Sequence, residues 1–166
     1  MLTQARLKEV LSYDPETGIF TWIIATSNRI KSGSIAGNFG KGYVRINVDG
    51  KSYGAHRLVF LYMTGKFPTL LIDHINGIKN DNRLSNIRQA TFHENAKNCP
   101  KRKNNKSGLK NVSLHKRSQK WAASARLNGK KIHLGLFENK NEAFEVYKKF
   151  AIENHGNFLH ESLKGI

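Results

Sequence analysis

Residues 43–48 alternate Tyr, Val, Arg, Ile, Asn, Val and run into Asp49-Gly50, after which residues 51–55 return. Period-two alternation around a dipeptide that accepts positive φ predicts a β-hairpin with a type I′ turn. The pattern recurs near the other end of the chain, where residues 121–127 and 130–136 flank Asn128-Gly129 and a strand over 111–115 can join them. Residues 5–11 predict a short helix that stops before Asp14-Pro15, and residues 18–22 a strand. The run 56–64 (HRLVFLYMT) predicts a buried helix closing at Gly65. Thr91 with Glu94, and Asn139 with Glu142, have the form of capping boxes. Behind the second box, Ala143, Val146, Tyr147, Phe150 and Ala151 form one helical stripe that ends near Asn154, with Gly156 as the stop. The predicted class is α+β, and the last three strands and helix suffice for a small domain of their own.

Composition sharpens this picture. At 166 residues there is room for one domain or two small ones. Lys and Arg number 28 against 12 Asp and Glu, a formal charge of +16, which points to a polyanionic partner. The excess is uneven: residues 1–96 carry 12 basic and 7 acidic groups, residues 97–166 carry 16 and 5. Residues 97–110 (KNCPKRKNNKSGLK) contain six basic and no acidic groups, and read as a cationic linker in which Lys101, Arg102 and Lys103 are candidates for phosphate contact. The longest apolar run, 58–63, is far short of the roughly 20 residues that span a bilayer. No membrane segment is expected, the N-terminus lacks the form of a secretory signal, and an intracellular location follows. A single cysteine, Cys99, excludes an internal disulfide and zinc sites built on paired cysteines.

The chemistry concentrates in residues 71–98, LIDHINGIKNDNRLSNIRQATFHENAKN. Asp73 and His74 end a short apolar run, Asn76-Gly77 turns the chain, 80–85 is polar, and a helix starts after Thr91. Such residue types suit phosphodiester cleavage: an imidazole activates water, and a carboxylate with an amide oxygen holds a hard cation that retains its waters. Asp73 and Asn95 supply that oxygen pair. Asp-His pairs and loop asparagines also occur without any such role.

The run D-H-I-N-G-(x)4-N-R-L-S-N-I-R-(x)2-T-(x)2-E-N, preceded by His56-Arg57-Leu58-Val59, resembles the HNH endonuclease family, in its phage and intron homing branch. The likeness covers roughly 56–98. It implies a ββα-metal (His-Me finger) module in which His74 is the general base, Asp73 and Asn95 are metal ligands, and Asn86 braces the loop and orients the histidine. Asparagine at 95 favours magnesium, or manganese, over zinc. His93, about 200° from Asn95 on a helix, reads as exposed, and His56 as an anchor of the module. Arg57, Arg83 and Arg88 are either solvated charges or phosphate contacts, and the sequence does not choose.

In the C-terminal region strand alternation places Val112, Leu114, Trp121, Ala123, Ala125, Leu127, Ile132 and Leu134 toward the helix stripe, and Ser113, His115, Ser124, Arg126, Lys131 and His133 on the other face. That polar, basic face suits either solvent or a DNA groove. Residues 107–158, above all KWAASARLNGKKIHLGLF and His155-Gly156, resemble the plant ethylene-response-factor (Apetala-two-type) domain, which grips the major groove with a three-stranded sheet. The six residues of that face match its DNA-facing slots. Arginines of the plant domains are replaced by Ser113 and His115, and a tryptophan by His133, so the preferred sequence differs.

Together these readings predict an HNH module with accessory strands (1–98, core 56–98), a basic linker (99–106) and a DNA reader (107–166). The expected protein is a monomeric, divalent-cation-dependent endonuclease on double-stranded DNA, of homing type by resemblance. The rivals are a non-catalytic DNA-binding regulator with a degenerate HNH module, and a binder of structured RNA.

Overall fold

Thr3 opens the first helix: its hydroxyl accepts from the Arg6 N–H, and α1 runs over Gln4–Val10 with Leu7 and Val10 fully buried. The computed structural model describes all residues but 26, 28, 29, 41, 165 and 166, and divides into two compact units, Met1–Thr91 and Phe92–Ile166.

In the first unit the chain leaves α1 directly into a strand, β1 (Leu11–Asp14), paired antiparallel with β2 (Ile19–Trp22). The expected helix over 5–11 is thus one residue too long, because Leu11 and Tyr13 turn into the core as alternate residues of a strand. The short β3 (Asn38–Gly40) joins β4 (Tyr43–Val48) and β5 (Lys51–Gly54) in a three-stranded sheet. Asp49 and Gly50 between the last two strands have φ of 48° and 75°, as a type I′ turn requires. Helix α2 (Ala55–Thr64) follows at once and stops on the left-handed Gly65, whose N–H bonds the Leu61 carbonyl. One face of α2, through Leu58, Val59 and Leu61, meets Leu7, Val10, Leu11, Phe20, Ile46 and Val48 in a single core. At its edge the rings of Tyr13, Phe20 and Tyr62 pack with centroids 4.8–5.9 Å apart. The unit closes with a hairpin of β6 (Leu71–His74) and β7 (Ile87–Ala90), Leu71 opposite Ala90.

The second unit begins with α3 (Phe92–Asn98) and continues with β8 (Val112–His115), β9 (Lys120–Leu127), β10 (Lys130–Phe137) and α4 (Lys140–His155), in the sheet order β10-β9-β8. Asn128 and Gly129 take φ of 51° and 79°, so the second hairpin uses the expected turn. Asn139 caps α4 by accepting from the Asn141 N–H at 2.8 Å, not through a reciprocal bond with Glu142. Ala143, Tyr147 and Ala151 pack on Val112, Ala123 and Ala125 of the sheet. Leu114, expected among them, stays 45% exposed beside the turn into β9. The cationic stretch before β8 is tied down at both ends: the Lys110 ammonium donates to the carbonyls of Lys97 and Cys99, which neutralises the C-terminal end of α3, and Lys97 Nζ donates to the Asn154 carbonyl.

His155 closes α4 at 6% exposure, with Nδ1 buried and lacking a hydrogen-bond partner among the described residues. Burial first, then the charges of Lys97 and Lys110, pushes its pKa down to about 4. Between the ordinary histidine value and that one the unfolded chain takes up a proton that the folded chain refuses. Stability is therefore expected to fall as pH drops through about 6.5 and to level off near 4, a loss of about 3 kcal/mol from this residue. Thermal melts at pH 7 and pH 5 check this, and the drop should be smaller in His155→Gln.

Candidate active site and sheet face

β6 ends with two buried polar residues, Asp73 at 4% and His74 at 5% exposure. A buried carboxylate needs a partner, and the register supplies one, since Arg88 lies opposite Asp73. Arg88 Nε and Nη2 both donate to Asp73 Oδ2, at 2.8 and 2.6 Å. Arg88 is thus no solvated charge. Arg83 stays exposed but is paired: its guanidinium forks onto Asp81 at 2.8 and 2.6 Å and holds that carboxyl down at about 2.

The connection between β6 and β7 folds back on Asn86. Its amide nitrogen donates to the Asp81 carbonyl at 2.8 Å and its oxygen accepts from the Asn76 N–H at 3.1 Å, bracing both limbs of the loop. Asn76 in turn donates to Asp81 Oδ2 at 2.7 Å. The loop is therefore set by side-chain amides and one carboxylate, and His74 stands at its root.

The His74 ring is 5.6 Å from that of His56 and 6.1 Å from that of Tyr43, and its Nε2 is 3.4 Å from Asn82 Oδ1. An amide oxygen only accepts, so the proton of the neutral ring belongs on Nε2 and the lone pair on Nδ1. Burial pushes His74 below the usual histidine range, opposed by the Asn82 oxygen and by the carboxylates of Asp73 and Asp81. It is neutral at pH 7. His56 beside it is pushed down to about 4 by burial and then by His74, Arg57 and Arg45, so it too is uncharged.

Asn82 and Tyr43 were not singled out from the sequence. Asn82 is 2% exposed, and its carbonyl accepts from the Tyr13 hydroxyl at 2.9 Å across 69 residues of chain. Gly18, in the turn between β1 and β2, meets the same backbone: a Cβ there would stand 2.4 Å from Arg83 N and 2.6 Å from Asn82 C. The first hairpin thereby clamps the segment that carries Asn82. A buried asparagine in the polar run 80–85 was the available signal, but nothing in the spacing pairs it with Tyr13.

Asp73, His74 and Asn86 thus share one hairpin of the first unit. Asn95 lies on α3, in the second, as does the exposed His93. In the second unit's sheet the register sets Arg126 opposite Lys131 and Ser124 opposite His133, with Ser113 opposite Ala122 and His115 opposite Lys120. These six expected residues occupy one face, exposed except for half-buried Ser124. A bulge between His133 and Gly135 resets the alternation, so Leu136 pairs with Ala122 and is 39% exposed. Lys101, Arg102 and Lys103 are exposed, with Lys101 Nζ donating to the Gly108 carbonyl.

Residues 53–97, which span β6, the braced loop, β7 and nearly all of α3, match the model of a family described as HNH endonuclease. No curated protein and no solved structure matches the chain. These positions are thus similar to a nuclease domain, a likeness that supports endonuclease activity at the level of the family and implies DNA binding. The mixed α/β architecture, with small sheets and four helices, is compatible with such a module. HNH nucleases generally use a divalent metal. Among the described residues no three His, Cys, Asp or Glu side chains cluster to hold one. The donors on offer, one carboxylate and side-chain amide oxygens, fit a hard cation that keeps most of its waters. No helix among the described residues is long and apolar enough to cross a membrane.

Proposed function

We propose that this chain is a metal-dependent, site-directed endonuclease of homing type that hydrolyses phosphodiester bonds in double-stranded DNA. The observation that carries the reading is the buried, neutral His74 beside Asp73, on an amide-braced loop inside the stretch that matches the HNH family. His74 Nδ1 takes a proton from the attacking water while Nε2 keeps its own toward Asn82 Oδ1. As the water oxygen bonds to phosphorus the bond to the 3′ oxygen breaks, and that oxygen gains a proton from solvent. The products carry 5′ phosphate and 3′ hydroxyl ends. Asn86 holds the loop that presents His74. Asp73 and Asn95 are the residues that would hold magnesium, or manganese, in a ββα-metal arrangement, and when bound the ion supplies charge stabilisation to the phosphate. Arg88 fixes the Asp73 carboxylate through two bonds to Oδ2.

The second unit is the reader in this proposal. Its face of Ser113, His115, Ser124, Arg126, Lys131 and His133 docks in the major groove in the Apetala-two-type manner, with Lys101, Arg102 and Lys103 on the phosphates. Two weak modules on one chain raise each other's effective concentration on a long site, so a monomer suffices and no protein partner is required.

Purified full-length chain is expected to cut duplex DNA in magnesium and to lose all cleavage with excess chelator, while gel-shift binding persists. Chelator-resistant cleavage would remove the metal from the reading. Binding without cleavage in any divalent cation would leave a DNA-binding regulator. Competition at fixed salt should favour duplex DNA over duplex RNA.

A further inference from the structure

A phosphate undergoing attack gathers negative charge on its non-bridging oxygens, and a cation fixed beside it is worth most where water is partly excluded. Around His74 most arginines are already engaged: Arg88 with Asp73, Arg83 with Asp81, Arg57 through Nη2 with the Pro68 carbonyl, Arg45 with Ser52. Lys79 differs from all of them. It is exposed, it forms no ion pair among the described residues, and its Nζ sits 4.8 Å from the centroid of the Tyr43 ring, the same ring that lies 6.1 Å from His74. Its alkyl chain passes Gly42, where a Cβ would meet Cδ only in ordinary contact, at 3.5 Å.

We propose that Lys79 is a further catalytic residue, its ammonium contacting a non-bridging oxygen of the phosphate whose attacking water His74 deprotonates. The assignment rests on the nuclease reading above. The reach is appropriate: base to water is about 3 Å, water to phosphorus about 3–3.5 Å, and phosphate oxygen to ammonium about 3 Å. With both groups against the Tyr43 ring, at 4.8 and 6.1 Å from its centroid, the ammonium lies within about 11 Å of the imidazole centre, a separation that this chain of contacts can bridge. The ring pre-orders Lys79, and an exposed cation–π contact is weak enough to yield to a phosphate. Lysine suits the task as a compact point charge on a flexible stem.

The test uses full-length Lys79→Met and Lys79→Arg beside wild type and His74→Ala, with duplex DNA and magnesium under single-turnover conditions at saturating protein. Lys79→Met is expected to cleave roughly 10²-fold more slowly, with the slope of log affinity against log salt shallower by about 0.9, one phosphate contact. Lys79→Arg should recover most of the rate. The side chain is exposed and outside the core, so both variants should melt with wild type. Wild-type cleavage and salt slope in Lys79→Met, with His74→Ala inactive, would overturn the assignment alone. A loss in Lys79→Met that saturating protein restores would also overturn it, reducing the residue to ground-state binding. Equal cleavage by wild type and His74→Ala would take the base role from His74 and overturn the assignment with it, whereas no cleavage by wild type would sink the nuclease reading beneath it.

Discussion

His74→Ala is expected to slow DNA cleavage by roughly 10²- to 10⁴-fold, the span that general-base catalysis supplies, with DNA affinity unchanged. The structure separates these two effects. The loop after β6 is held by Asn86 on Asp81 and Asn76, by Asn76 on Asp81, and by the Arg83 fork. None of those bonds uses the imidazole, so truncation removes the base and leaves its surroundings in place. DNA contact in the proposed reading belongs to exposed cations and to the sheet of the second unit, far along the chain from residue 74. Burial makes the loss a matter of chemistry: a histidine held below its usual pKa is the acceptor of a proton at pH 7, and no neighbour can substitute, because His56 is pushed to about 4 and is a poorer base. Single-turnover rates and gel shifts on the same preparations measure both halves. Retained cleavage in His74→Ala, with the fold intact by circular dichroism, would take the base role from this residue.

What the sequence disclosed, and what it hid, follows from the range of the interactions involved. The two hairpins were legible because Asp-Gly and Asn-Gly state their backbone conformation locally, and the positive φ values at 49, 50, 128 and 129 are where those dipeptides put them. The stop of α2 at Gly65 and the cap of α4 at Asn139 are equally local. β1, β3 and β7 were not drawn as strands. Each has only three or four residues, too few for alternation to stand out, and each exists because a partner strand accepts it. The three fully exposed residues of β3 offer no pattern at all.

The site divides along the same line. Asp73, His74 and Asn86 fall in a motif of about a dozen residues and could be singled out from their spacing. Asn82, Tyr43 and Lys79 take their places from packing between segments tens of residues apart. The stretch 97–110 shows the limit of charge as a guide. Its composition reads as a solvated linker, yet Lys110 turns inward to two carbonyls at the end of α3, and burial pushes it down to about 8. A lysine is drawn to phosphate and to helix-end carbonyls by the same physics, so a run of positive charge does not say which it meets.

Gly18→Ala is expected to be the most damaging single-methyl change in the first unit. Gly18 has φ of +74°, where an alanine is strained by about 1–2 kcal/mol. The added methyl also strikes the 82–83 backbone at 2.4 and 2.6 Å, and backbone, unlike the tip of a flexible side chain, does not swing away. Overpacking of this kind costs about 1–3 kcal/mol more. The sum, roughly 2–5 kcal/mol, corresponds to a melting point lower by at least about 10 °C in a unit of this size. Gly50→Ala isolates the first contribution, since Gly50 has φ of +75° with nothing within 4 Å of the new methyl, and should lose only the backbone part. The clash also reaches the site. To relieve it the turn between β1 and β2 must draw away from 82–83, loosening the Tyr13 bond to the Asn82 carbonyl and with it the amide oxygen that faces His74 Nε2. Cleavage by Gly18→Ala, measured well below its melting point, should therefore fall below that of Gly50→Ala at equal folded fraction. Equal melting and equal rates in the two variants would mean that the first hairpin neither braces this backbone nor helps to orient the base.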